Sequence, residues 1–195
     1  MSGARIGTGT GPANVATGVP LLDHLLTELA SAGRFELTLE MEPDDAEAEV
    51  DGAGKALGGA VGPLLEPGAH GAATLPHDEA LATVVVERSG RPLVVANVDL
   101  TGVGGLGSDL AARFLGALAQ EAGLTIHVRL VEGEETDHVL TAIFKALGVA
   151  LSRAGTPGSA RADPNGGQNP QSGRCPAGNH KPESTHHEGE RWKSR

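Results

Sequence analysis

Residues 136–148 read TDHVLTAIFKALG and residues 44–58 read DDAEAEVDGAGKALG; each passes from a polar opening into the same four letters, KALG. The shared ending supplies a register that the rest of the chain can test. Leu57 follows Gly33 by 24 residues and Leu147 follows Gly123 by 24 residues, so the two segments are related by an offset of 90. One residue tighter, at 89, Leu25, Leu26, Leu29 and Ala30 fall opposite Phe114, Leu115, Leu118 and Ala119. The chain therefore reads as a duplicated unit of hairpin, helix, strand and helix. Its helices would pack on one face of a mainly antiparallel sheet, which is an α+β fold.

Local patterns fill in the unit. Leu21, Leu22, Leu25, Leu26 and Leu29 recur at three- and four-residue spacing, predicting an amphipathic helix over 20–32 that Gly33 ends. Phe35, Leu37, Leu39 and Met41 alternate as in a half-buried strand. A second helix is expected over about 48–65, closed by Glu66-Pro67-Gly68. LATVVVE at 81–87 and PLVVANVDL at 92–100, separated by RSGR, read as a β-hairpin. Helix, strand and helix then return at 108–121, 124–132 and 137–152. In the first half only ARIGTGTGPANVATG stands where a strand, a turn and a second strand belong, so the leading strand is expected to be nearly missing.

From Thr156 the chain is rich in Gly, Pro, Asn and Ser and almost free of aliphatic residues. Such a segment buries too little apolar area to offset its ordering entropy. The expected organisation is a folded domain over 1–154, with halves of about 1–67 and 68–154, and a disordered tail over 155–195. A displaced start and a frameshift would also leave a short first half and a foreign tail.

Composition narrows the function. Aromatic residues make up 2% of the chain, with one Trp and no Tyr, so the core must be aliphatic and stacking on bases is not expected. A formal net charge of -10 repels phosphate backbones and anionic lipid, which sets nucleic acid and membrane partners aside. No stretch approaches the ~20 apolar residues of a membrane span, and the N-terminal residues lack the apolar run of a signal peptide. A cytoplasmic protein is expected. The single cysteine, Cys175, has no internal disulfide partner.

The offset of 90 sets Glu47, Ala48 and Asp51 opposite Asp137, His138 and Thr141, each set opening a helix. Side chains at i and i+4 of a helix, with help from i+1, can converge on one cation, and oxygen with imidazole suits Mn, Fe or Zn. Acidic residues at a helix start are equally favoured by capping and the helix dipole, with no ion needed. Spacing alone leaves both readings open. The tail residues Cys175, His180, His186 and His187 fit no structural zinc spacing.

Three stretches carry a resemblance: TGVPLLDHLLTELASAGRFELTLE, DEALATVVVERSGRPLV and AGLTIHVRLVEGEETDHVLTAIFKALGVAL. Over about residues 8–152 the chain resembles the imidazoleglycerol-phosphate dehydratases of histidine biosynthesis. The resemblance implies two ribosomal protein S5 domain 2-like halves and a hollow homo-oligomeric shell with manganese pairs between subunits. It implies dehydration of D-erythro-imidazole-glycerol phosphate to imidazole-acetol phosphate.

The family's metal motif, His-His-x-x-Glu, opens the second helix of each half, and one further histidine comes from each first helix. Here those positions hold Glu47, Ala48, Asp51 and His24 on one side of the count, and Asp137, His138, Thr141 and Arg113 on the other. Only His24 and His138 keep the family residue; Glu47, Asp51 and Asp137 still offer oxygen, and Arg113 brings a cation where the family places manganese. By the same resemblance Arg91 and Lys145 bind the substrate phosphate, and Asp78 and Glu79 are catalytic. The family's second arginine aligns with Ala69, Glu28 stands where glutamine is usual, and His77 stands where Met is common. The tail lacks the family's Ser-Thr-Lys segment, and the strand carrying a catalytic glutamate has no counterpart. Each residue also has a plainer role open to it: His24 as a half-buried histidine bonded to a carbonyl, His127 as a structural strand residue, Arg91 as a solvated turn residue, Lys145 as the partner of an acid, Asp78 and Glu79 as the cap of a strand. The replaced ligands lead us to expect an impaired dehydratase. The alternative is a non-catalytic paralogue that forms a shell or binds a phosphorylated ligand.

Overall fold

Among the described residues the elements run in the order β1 (Gly3–Thr8), β2 (Asn14–Ala16), α1 (Pro20–Gly33), β3 (Phe35–Glu40), α2 (Ala46–Val61, followed by a 3-10 turn at Gly62–Leu64), β4 (His70–His77), β5 (Ala80–Glu87), β6 (Leu93–Ala96), α3 (Leu110–Ala122), β7 (Thr125–Glu132) and α4 (Thr136–Ala154). The computed structural model describes residues 3–8, 13–41, 44–98 and 109–157. The expected disorder of the tail, its histidines and Cys175, and the end of the strand expected over 92–100 lie outside the described residues. The architecture is α+β, as expected.

Each half carries one mixed sheet. In the first, β3 is central, antiparallel to β1 and parallel to β2. In the second the order is β4-β5-β7-β6, with β7 antiparallel to β5 and parallel to β6. β1, β3 and β2 thus match β5, β7 and β6. Leu37 and Leu39 are fully buried while Glu36, Thr38 and Glu40 face out, so one face of the first sheet supplies core.

The segments at 81–87 and 92–100 are not a hairpin: β5 and β6 both pair with β7, on opposite sides of it. Alternation marks a strand but not its neighbour, and the link between them is tied to the start of β7 instead. Gly90 N–H donates to the Gly123 carbonyl, and the Ser89 and Thr125 hydroxyls lie 2.6 Å apart. The hairpin partner of β5 is β4, joined through a two-residue turn at Asp78-Glu79. The N-terminal segment, expected to be nearly without its leading strand, holds both β1 and β2; among the described residues it is the counterpart of β4 that the first half lacks.

The helices cross between halves, α1 against α4 and α2 against α3. The two KALG glycines make these crossings. A Cβ on Gly148 would lie 2.0 Å from the Leu29 carbonyl oxygen on α1, and one on Gly58 would lie 2.7 Å from the Glu121 Cβ on α3. The repeated tetrapeptide is therefore the point where each half's second helix meets the other half's first. Gly33 is held for the same reason. It does not cap α1 from outside but sits inside it, with its Cβ position 2.7 Å from the Gly148 carbonyl oxygen; Arg34 takes the left-handed cap (φ 55).

Short polar side chains support the starts of α2 and α1. Asp45 caps α2 by accepting the Ala48 N–H at 2.9 Å. Asp45→Ala is expected to cost about 1 kcal/mol, read as a lower denaturant midpoint with an unchanged slope; no change in midpoint would contradict the cap. At α1, buried Thr17 takes that part indirectly: its hydroxyl donates to Asp23 at 2.6 Å and accepts the Val19 N–H. Pro20 opens the helix, where a missing N–H costs nothing.

Candidate functional site

The acidic opening of α2 faces a cation that belongs to the chain itself. Arg113 projects from the first turn of α3, and its guanidinium reaches Glu47 at 2.6 Å, Asp109 at 2.8 Å and Asp51 at 3.5 Å. The packing of α3 on α2 puts these groups together, with Asp109 supplied one turn before Arg113 at i,i+4 spacing. Glu47, Asp109 and Arg113 form the polar wall of a cleft of about 220 Å³ whose apolar side is Val19, Val50 and Leu110. The hydrogen bond to Asp109, followed by the charges of Asp109, Glu47 and Asp51, holds the Arg113 pKa above its usual value.

A second cluster forms where the β4–β5 turn meets the start of α4. Asp78 occupies the left-handed region (φ 47), which Asp tolerates better than most residues, and the turn aims Glu79 at the helix. Glu79 accepts the Glu135 N–H at 3.1 Å and contacts His138 Nδ1 at 2.5 Å. His138 Nε2 lies 3.4 Å from Asp78, whose other neighbour is His77 at 3.8 Å; the two rings meet edge to face at 5.5 Å. One carboxylate therefore pairs the N-cap amide of α4 and orients a histidine.

That pairing shifts both partners. The hydrogen bond from His138 lowers the Glu79 pKa from 4.5 to about 2, and the same bond raises His138 above 6.5. A lowered carboxylate contributes stability above pH 4.5 that is lost as pH falls toward 2. A raised imidazole contributes stability below pH 6.5 that is lost as pH rises through its folded value. The difference in thermal midpoint between the protein and Glu79→Gln should thus be largest between pH 4.5 and 6.5 and shrink on both sides. A difference that does not vary with pH would refute the pairing. Both groups are solvent-accessible, so the effect is modest.

His24 is exposed on α1, the helix that packs against α4, and forms no hydrogen bond or ion pair with Asp137, His138 or Thr141 among the described residues. It is not half-buried. Thr141 is 2% exposed and spends its hydroxyl on the Asp137 carbonyl at 2.7 Å. Asp137 is exposed. Lys145 donates to the Pro76 carbonyl at 3.2 Å, near the β4–β5 turn. Arg91 is exposed at the other end of the same hairpin, beyond the pairing of His70 with Glu87. Seven strand residues of about 3.3 Å each put them about 23 Å apart, so no single chain closes both on one phosphate. Sequence reading assigned no role to Asp109 or His77. The i,i+4 spacing of Asp109 and Arg113 was the available signal for the first; the second depends on a turn that the missed strand β4 creates.

The cation that the resemblance implies can be tested against these donors. Arginine has no lone pair to offer a metal and keeps its charge at any working pH. At the first position it stands against both carboxylates of the motif, so the donor set as folded does not fit manganese. At the second, the Thr141 hydroxyl is turned onto the backbone and His138 is engaged by Glu79 and Asp78. Among the described residues no group of three or more His, Cys, Asp or Glu side chains is arranged to hold a metal within one chain.

Residues 17–151 match the family described as imidazoleglycerol-phosphate dehydratase. The imidazoleglycerol-phosphate dehydratase of Syntrophobacter fumaroxidans is 41% identical over 155 residues, covering 75% of this chain and 79% of its own. That of Clostridium botulinum strain 657 is 37% identical over the same length and the same shares. Among solved structures, the Staphylococcus aureus N315 dehydratase superposes with a TM-score of 0.69 at 31% identity, covering 79% of this chain and 92% of that one. The Pyrococcus furiosus protein, solved with (S)-C348, gives 0.69 at 27% identity, covering 82% and 89%.

Proposed function

This chain belongs to the imidazoleglycerol-phosphate dehydratase family, and we propose that it is an impaired member, acting on D-erythro-imidazole-glycerol phosphate to give imidazole-acetol phosphate far more slowly than its relatives. The observation that carries this reading is the contact of Arg113 with Glu47 and Asp51. Where the family's chemistry draws on bound cations, this chain presents a cation that cannot ligate substrate.

What remains supports recognition of the substrate. Arg91 offers a guanidinium fork and Lys145 a point charge, a sound pair for a phosphate. Their separation in one chain means that they would share an anion only across subunits, which accords with a homo-oligomer. Glu79 and His138 form a polar pair at the turn, with Asp78 beside them, able to hold a proton near a bound ligand. The residues at the first position do not fit manganese. Localisation rests on the expected cytoplasmic reading. Among the described residues no helix is long and apolar enough to cross a membrane.

A non-catalytic paralogue, forming a shell or binding a phosphorylated ligand, is the second reading, favoured by the same arginine. A turnover assay on the phosphate substrate separates the two: slow, protein-dependent turnover supports impairment, and none above background supports the paralogue.

A further inference from the structure

We infer that Arg113 closes the first of the two metal positions to divalent ions, its guanidinium being the cation that Glu47, Asp51 and Asp109 hold. This rests on the family reading for the statement that a metal belongs at that position, but not on whether the chain turns over substrate. Three features carry it. The guanidinium contacts all three carboxylates at once, at 2.6, 2.8 and 3.5 Å, through three different nitrogens. A divalent ion entering between Glu47 and Asp51 would have to displace it or sit beside a fixed positive charge. The duplication places Arg113 opposite His24, so the substitution exchanges a side chain able to ligate for one that is only a donor.

The arrangement also explains why the acidic start of α2 is tolerated in the fold. Glu47 and Asp51 lie on a helix of the first half and Arg113 on a helix of the second. The contact ties the two halves together across the α2–α3 crossing, as a shared metal ligand set would, but without dependence on metal supply.

The test is the thermal midpoint in a manganese chloride series, begun from metal-stripped full-length protein. Sites elsewhere in the chain, including the tail histidines, contribute equally to every variant and cancel in comparison. The protein and its Glu47→Gln/Asp51→Asn variant should respond identically to manganese. Arg113→Ala should gain a further rise of several degrees with increasing ion, since a ligand bound only by the folded state stabilises it. That rise should vanish in the triple variant E47Q/D51N/R113A. Should Arg113→Ala not fold, Arg113→Gln, which keeps the stem, is read in the same way. A manganese response of the unaltered protein that is lost in E47Q/D51N would overturn the inference, as would an arginine variant that gains nothing. Normal turnover with a silent first position would sink the impaired-enzyme reading and leave this inference standing.

Discussion

Gly148→Ala is expected to destabilise the folded unit by about 3 kcal/mol, the upper end of the usual cost of overpacking. Helix propensity alone argues the other way, since alanine is favoured over glycine inside a helix by about 1 kcal/mol. The contact decides the sign. The added methyl would lie 2.0 Å from the Leu29 carbonyl oxygen and 2.9 Å from its carbon, both backbone atoms that no rotamer change can move. Relief requires α1 and α4 to separate, which would loosen Leu26, Leu29, Phe144 and Leu147, all fully buried. Gly116→Ala is the matched control: on α3 its Cβ position has nothing within 4 Å, so the same substitution should be neutral or stabilising by up to about 1 kcal/mol. Urea titration of both variants checks the pair; equal midpoints would refute the close helix crossing.

The second large effect concerns turnover. Loss of a single well-placed group that stabilises developing charge commonly lowers a rate by 10²–10³. Of the two first-helix and two second-helix ligand sets that the resemblance implies, this chain keeps the family residue only at His24 and His138. The His138 Nδ1 is engaged by Glu79 and its Nε2 lies 3.4 Å from Asp78, while Thr141 is buried and bonded to backbone. We therefore expect kcat/KM on D-erythro-imidazole-glycerol phosphate to fall at least about 10²-fold below that of a relative carrying both full motifs. The loss should appear chiefly in kcat, because the phosphate-binding candidates Arg91 and Lys145 are present. A value within tenfold of such a relative would remove the case for impairment.

Much of this was legible in the sequence, for reasons that can be named. The leucine stripe of α1 and the alternation of Phe35, Leu37 and Leu39 survived folding because large apolar side chains bury only one way. The KALG repeat fixed the duplication because a glycine at a helix crossing is hard to replace. Strand β4 escapes a sequence reading because its buried positions are Gly71 and Ala73, with Leu75 the one large apolar residue on that face; Gly71 is kept small by α4, whose Ala150 carbonyl lies 2.0 Å from its Cβ position. A strand with one large apolar residue carries too little hydrophobic alternation to read. Missing β4 also produced the false pairing of β5 with β6 and hid the turn that brings Asp78 and Glu79 to His138.

At the acidic stretch spacing allows two readings, a metal site or a solvated helix start, and the fold supplies a third: a helix start whose acids hold an arginine. Spacing along α2 could not reveal this, because the guanidinium arrives from a helix of the other half.

The account is tested most directly by the manganese content of the purified protein, measured per subunit after equilibration with the ion and removal of excess, with the substrate assay run on the same sample. It predicts fewer than two manganese ions per subunit, unchanged in E47Q/D51N, together with weak turnover. Two ions per subunit, one of them lost in E47Q/D51N, with turnover at the level of an intact relative, would contradict it.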